Sequence, residues 1–189
     1  MGILVVGLGN PGADYENTRH NIGFKIADAF ALKASVSFVT SRYADVAEGR
    51  IKGVSYTIIK PNTFMNLSGN AVRYYMQQGK FKAQEIMVVT DDLSLPFGTL
   101  RMRARGSSGG HNGLQHIQEI LGSDVFPRLR CGIGADFHKG QQVDYVLGKW
   151  SDDETKSLSN FIERGVQAIE SMGKIGIERA MNQVNTRMK

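Results

Sequence analysis

The chemistry-bearing side chains of this chain gather beside glycines. Residues 7–24, GLGNPGADYENTRHNIGF, follow the apolar run 3–6 and carry Asp14, Glu16, Asn17, Thr18, Arg19, His20 and Asn21 in one dense polar patch. Polar groups between a strand and a helix are costly to bury unless they have partners or a task. Of the four histidines, His116 lies among apolar neighbours at helical spacing and reads as structural. His138 lies in a polar loop with nothing near it to fix a tautomer. No His, Cys and carboxylate cluster stands at metal-ligand spacing, so no metal is expected. No serine has the flanking pattern of a nucleophile elbow. His20 remains as a general base on water, since an imidazole of pKa about 6.5 can accept a proton at neutral pH and return it to a leaving group. Such a base needs an orienting carboxylate. Asp91 and Asp92 end the apolar stretch 86–90, and strand alternation lets only one of them point inward; Asp91 is the better placed. Asn10, Asn66 and Asn112 can each donate and accept hydrogen bonds without adding charge. Asn66 could equally cap the helix that follows it.

Gly7, Gly9 and Gly12 spell GxGxxG after a strand, which invites a dinucleotide-binding reading. Pro11 argues against it, because it removes a backbone N–H where a pyrophosphate would be met. Helical spacing also begins only near Asn21, and no later strand ends in an acid placed to hold a ribose.

These residues need a scaffold, and the pattern supplies one. Apolar recurrence predicts helices over 21–34, 69–78, 113–121, 151–173 and 175–184. Strands are predicted over 3–6, 36–39, 43–51, 54–60, 85–92, 99–104 and 126–133. Ser151 and Glu154 form a capping box at the start of the long helix. Strands interleaved with helices make an α/β fold, a single domain over 1–189 with a mixed, twisted sheet flanked by helices. A chain of 189 residues suffices for a real core, and 41% hydrophobic with 22% charged residues is ordinary for a globular protein. No apolar run approaches the roughly 20 residues of a membrane helix. No secretory leader opens the sequence, so a cytoplasmic location is expected. The single cysteine, Cys131, excludes an internal disulfide and reads as core.

The net charge of +5 is unevenly spread. Arg101, Arg103, Arg105, Arg128 and Arg130 fall between positions 99 and 130 against two acids, Glu119 and Asp124. The first three are expected on one strand face, with Arg128 and Arg130 on a neighbouring strand. A basic stripe of this kind suits a polyanion. The loop 106–110, GSSGG, beside it could cradle phosphate or serve only as a mobile connector.

The stretch 7–24 resembles the first signature of bacterial peptidyl-tRNA hydrolases, GxGNPGxxYxxTRHNxGF, at every fixed position. Residues 63–69, TFMNLSG, and 106–114, GSSGGHNGL, resemble two further blocks of that family. The resemblance implies cofactor-free hydrolysis of the ester joining a peptide to the tRNA 3′ ribose, with His20 and Asp91 as the catalytic pair. It places Asn10 near the terminal adenosine ribose and His20, and Asn66 and Asn112 at the peptide end and the water. Tyr15, Phe64 and Met65 would wall the cleft, with core packing the plainer role for the last two, and His111 would support Asn112. Residues 134–147 resemble the family's lid. The implied partner is peptidyl-tRNA, held by its acceptor stem and 3′ end on the five arginines, by a monomer without membrane or obligate protein partner. Arginine along 99–104, where lysine is common in the family, favours bidentate phosphate contacts. A non-catalytic RNA-binding protein on the same fold, like certain plant-organelle splicing factors, is the alternative. Retention of His20, Asp91 and the three asparagines weighs against it.

Overall fold

Leu4, Val5 and Val6 are fully buried, as a run without polar alternation requires of a strand covered on both faces. In the computed structural model, which describes residues 2–186, that strand is β1 (Gly2–Gly7). It is followed by α1 (Ile22–Lys33), β2 (Val39–Thr40), β3 (Ala44–Ile51), β4 (Val54–Pro61), α2 (Ser68–Gly79) and β5 (Ile86–Asp92). The chain then forms β6 (Leu100–Arg103), α3 (Asn112–Leu121), β7 (Arg128–Gly132), α4 (Gln142–Val146), α5 (Asp152–Ile175) and α6 (Ile177–Thr186). The described strands make one sheet in the order β2-β3-β4-β1-β5-β7-β6. β1 runs parallel to β4 and β5, and β5 parallel to β7, while β2, β3 and β6 pair antiparallel. The sheet is therefore mixed, in agreement with the expected α/β class.

Two cores sit on its two faces. Ile3, Val5, Met87, Val89, Leu129 and Cys131 pack against Ile22, Ile26 and Phe30 of α1 and Phe161, Val166 and Ile169 of α5. Leu4, Val6, Ile86 and Val88 pack against Val72 and Tyr75 of α2 and Leu114 and Ile117 of α3. Cys131 is buried and free, as expected of core filler.

One close approach sets the geometry of the site. A Cβ on Gly23, in the first turn of α1, would lie 2.5 Å from backbone atoms of both Leu8 and Val89. Only glycine lets α1 start against the ends of β1 and β5, and that proximity delivers the preceding 3-10 turn, Arg19–Asn21, to the end of β5.

Some expected boundaries shift. Residues 36–38 do not pair; Val36 and Phe38 pack against the first core instead, and the strand is only Val39–Thr40. The strand expected over 126–133 is Arg128–Gly132, and that over 99–104 ends at Arg103. The capping box is present, with Glu154 N–H on Ser151 Oγ at 3.2 Å and Ser151 N–H on Glu154 Oε2 at 2.7 Å. Arg187 and Lys189, expected at a frayed tip, lie outside the described residues. No helix among the described residues is long and apolar enough to cross a membrane.

Candidate active site

Asp91 lies one residue before the end of β5 and is 4% exposed. Strand alternation turns Asp92 to the other face, where its carboxylate takes Arg130 Nε at 2.6 Å and the Ser94 N–H at 2.8 Å. The inward carboxylate is shared. His20 Nδ1 stands 2.8 Å from Asp91 Oδ2, and His111 Nε2 stands 2.8 Å from Asp91 Oδ1. His20 comes from the 3-10 turn before α1, and His111 from the N-cap position of α3. The two rings are 5.1 Å apart.

The hydrogen bonds settle the tautomers. His111 Nδ1 accepts from the N–H groups of Gly113 and Leu114 at 3.1 and 3.3 Å, so its proton belongs on Nε2, which donates to Asp91. Ionised Asp91 accepts equally from His20 Nδ1–H. The His20 lone pair is then on Nε2, which has no protein partner among the described residues. Burial by itself would raise the Asp91 pKa, but the charges and N–H bonds of both imidazoles hold it well below the usual carboxylate range. Burial likewise works to lower His20, yet the charge and hydrogen bond of Asp91 outweigh it and the net shift is upward.

Sequence spacing showed no ligand cluster, but the fold gathers one. The donor atoms of His20, Asp91 and His111 all lie within 4.8 Å of one another. Both imidazole nitrogens turned to Asp91 carry protons in the hydrogen-bonded arrangement, and His111 cannot release its own without giving up two backbone N–H partners. The donor set fits a carboxylate-centred hydrogen-bond network better than a metal centre.

The asparagines divide into one anchored and two with no side-chain partner among the described residues. Asn10 Oδ1 accepts from the Met65 N–H at 2.7 Å, while its backbone N–H and C=O pair with the Asn21 amide at 2.8 and 2.9 Å. Its Nδ2 is left as a donor with no partner among the described residues. Asn66 is exposed in the 3-10 turn Met65–Leu67 and makes no cap, the residue before α2 being Leu67. Asn112 is exposed as the first residue of α3, whose cap is the His111 ring. Phe64 is 56% exposed and meets Tyr15 edge-on at 6.4 Å. Met65 corrects the expectation of a cleft wall: its side chain is 4% exposed, in the core with Leu114. His116 Nδ1 accepts from Gly69 N–H at 2.9 Å and joins α3 to α2, the structural role expected of it.

The basic stripe needs correction too. β6 and β7 pair antiparallel with Arg101 opposite Arg130 and Arg103 opposite Arg128, so these four share one face. Arg128, however, is 1% exposed and donates to the carbonyls of Gly106 and Asp124, each at 2.7 Å, and of Phe126 at 3.3 Å. Burial brings its pKa down to about 10. Committed to carbonyls, it is closed to phosphate and pins the loop 106–107 instead. Arg105 lies beyond the strand and pairs with Asp124 at 3.4 Å, so it does not continue the stripe. Arg130 is held by Asp92. Arg101 and Arg103 remain as the cations on that face with no acidic partner among the described residues.

Sequence reasoning missed Thr90, whose hydroxyl is 2.9 Å from His111 Nε2, and Asn21, the clamp on Asn10. Asn21 stands inside the polar patch and was open to detection there; Thr90 reads simply as a strand residue.

Comparison with known proteins points to one family. A family model described as peptidyl-tRNA hydrolase matches residues 4–189. The chain is 52% identical over 187 residues to a peptidyl-tRNA hydrolase of Cytophaga hutchinsonii, covering 99% of this chain and all of that one. A peptidyl-tRNA hydrolase of Porphyromonas gingivalis is 48% identical, over 98% of this chain and all of its own. The crystal structure of peptidyl-tRNA hydrolase from Acinetobacter baumannii superposes with a TM-score of 0.91 at 32% identity, covering 97% and 94% of the two chains. A uridine phosphorylase from Vibrio fischeri, at 11% identity over 87% of this chain and 88% of its own, and a TM-score of 0.51, shares the fold alone.

Proposed function

The chain belongs to the peptidyl-tRNA hydrolase family, and from that premise we propose that His20 is the general base that drives water onto the ester between a peptide and the tRNA 3′ ribose. One observation carries the reading: Asp91 accepts hydrogen bonds from two histidines, and with Nδ1–H of His20 given to Asp91 the Nε2 lone pair is left for water. Water gives a proton to Nε2 as its oxygen attacks the ester carbonyl. The imidazolium so formed is stabilised by buried Asp91. Collapse of the tetrahedral intermediate breaks the C–O bond to ribose, and Nε2 returns its proton to the departing ribose oxygen. The products are the peptide's carboxylic acid, which ionises by releasing its proton to solvent, and tRNA with its 3′-terminal hydroxyls restored.

The neutral amides suit the rest of the task. Asn10 Nδ2 is a fixed donor, because Met65 N–H occupies its oxygen, and so can polarise the carbonyl or hold the ribose. Exposed Asn66 and Asn112 offer donor and acceptor together to a peptide amide and the water. A free aminoacyl group would present a hydrated ammonium there instead, so an acylated amine should be required. Phe64 and Tyr15 provide apolar walls. Arg101 and Arg103 are proposed to hold phosphates of the acceptor stem, with the enzyme acting as a cytoplasmic monomer.

The test is turnover of an N-acetylated aminoacyl-tRNA by the purified protein and by His20→Ala. Loss of about 100- to 10,000-fold in kcat with little change in tRNA affinity is expected. Tight tRNA binding without turnover by the wild type would instead favour the RNA-binding alternative.

A further inference from the structure

Arg19, the neighbour of His20, is held through both its side chain and its backbone. Its Nε and Nη2 donate to the two oxygens of Glu154 at 3.3 and 3.0 Å, and its Nη1 donates to the Tyr145 carbonyl at 3.1 Å. The guanidinium lies 4.2 Å over the Tyr145 ring. Its backbone N–H reaches the Gly148 carbonyl at 3.0 Å, beside a Thr18–Lys149 bridge. Both charged side chains are nearly buried, at 12% and 13% exposure. The side-chain partners lie 126 to 135 residues away, on α4 and the first turn of α5. Tyr145 in turn donates its hydroxyl to the Ile133 carbonyl at 2.6 Å, just beyond β7.

From this we infer that Arg19 and Glu154 are positioning residues for His20, locking the turn that carries the base onto α4 and the start of α5. The reading rests on His20 being the base. That 3-10 turn is three residues long, Arg19–Asn21, and each is held from a different direction. Asn21 clamps the Asn10 loop, His20 meets Asp91, and Arg19 meets Glu154. Two attachments leave a short turn free to roll about the line joining them; a third fixes the imidazole plane. A planar fork on a carboxylate suits that task, since two parallel N–H bonds fix direction as well as distance. Glu154 is itself fixed, because Oε2 also accepts the Ser151 N–H of the capping box at 2.7 Å. The ring of Tyr145 beneath the guanidinium ties the same lock to residues 142–146, so whatever contacts α4 also bears on the base.

The experiment compares Glu154→Gln, Arg19→Lys and Ser151→Ala with His20→Ala, on an N-acetylated aminoacyl-tRNA, at a temperature where all are folded. Glu154→Gln keeps an acceptor for the cap but loses the charge, and Arg19→Lys keeps the charge but loses the fork. Each should lower kcat about 10- to 100-fold with KM little changed, because a shift of about 1 Å in a catalytic group has that cost. Ser151→Ala removes the cap without touching the fork, so it should lower the melting temperature and leave kcat alone. Full kcat in Glu154→Gln and Arg19→Lys, beside an inactive His20→Ala, would overturn the positioning role while sparing the base. Loss of kcat in proportion to melting temperature across all three, Ser151→Ala included, would reduce the pair to a stability role. Full kcat in His20→Ala would remove the base and this inference together.

Discussion

Replacing Asp91 by asparagine should do more than remove a charge, and the structure says how. The carboxylate accepts two N–H groups, from His20 Nδ1 and His111 Nε2. An amide offers one acceptor and one donor, so one histidine must change its tautomer. His111 resists, since moving its proton to Nδ1 would abandon the Gly113 and Leu114 N–H groups that it caps. Losing such a cap costs about 1 to 2 kcal/mol. His20 Nε2 has no such commitment. The asparagine oxygen therefore stays with His111, its NH2 faces His20 Nδ1, and the His20 proton moves to Nε2, where the lone pair is needed. The wrong tautomer is favoured by about 2 kcal/mol, or roughly 30-fold. Loss of the charge that stabilises the imidazolium adds about 2 to 3 kcal/mol, giving roughly 1,000- to 5,000-fold in kcat. The assay is turnover at saturating N-acetylated aminoacyl-tRNA. With Asp91→Asn/His111→Ala the amide can turn its oxygen to His20, so the double variant should exceed Asp91→Asn alone by a coupling of about 1 kcal/mol or more. Asp91→Asn with near-normal kcat would refute the base assignment; a double variant slower than the single would refute the tautomer argument.

Asn66→Ala and Asn112→Ala should each lower kcat/KM for the acylated substrate and leave any cleavage of free aminoacyl-tRNA unchanged, read as a ratio of the two. Arg101→Ala together with Arg103→Ala should raise KM and flatten the log–log salt slope of tRNA affinity by about 0.7 to 0.9 per lost phosphate contact, with kcat little altered. Arg128→Met should leave that slope alone. It strands buried carbonyls of Gly106, Asp124 and Phe126, and should cost about 2 to 3 kcal/mol of stability, measured by denaturant unfolding. Activity should survive chelation by EDTA; inactivation reversed by one divalent metal would contradict the hydrogen-bonded reading of His20, Asp91 and His111.

How far the site could be read from sequence depended on whether the answer lay in local alternation or in what covers it. That only one of Asp91 and Asp92 can face the turn carrying His20 was legible from strand alternation, while the choice of Asp91 leaned on the family resemblance. The long helix was legible from Ser151 and Glu154, whose spacing is itself the bond. Arg128 was not. Alternation correctly placed it on the face of Arg130, but the cover over that position comes from residues 106–107 and 124–126, joined to it only by the fold. Met65 failed for a related reason, since an apolar residue in a polar block can line a cleft or sit beneath it, and the backbone direction decides. His111 was seen as an aid to Asn112, whereas its ring both caps α3 and shares Asp91, two bonds made by opposite nitrogens. Residues 36–38 have strand composition without strand pairing, because the β2–β3 register begins only at Val39.

The opposite shifts of His20 and Asp91 separate the pH dependence of activity from that of stability. The base must be unprotonated, so kcat/KM should rise with pH to a plateau. Its midpoint lies above the ordinary histidine value, because Asp91 outweighs burial. Protonation at Nε2 breaks no bond, since that nitrogen has no protein partner among the described residues. The sign for stability is the reverse of that for activity. A group whose pKa is raised on folding stabilises the fold below its unfolded pKa, about 6.5 for histidine, and loses that contribution as pH rises through the folded value. Asp91, lowered on folding, contributes above the ordinary aspartate range and loses that contribution only as pH falls through it toward its own depressed value. Acidification from pH 8 to pH 5 should therefore switch off turnover while the His20 contribution to stability grows. The difference in unfolding free energy between wild type and His20→Asn isolates that contribution, and it should be larger at pH 5 than at pH 8. A difference that shrinks on acidification would mean that folding prefers the neutral imidazole, and Asp91 would then not be the ionised partner on which the mechanism depends.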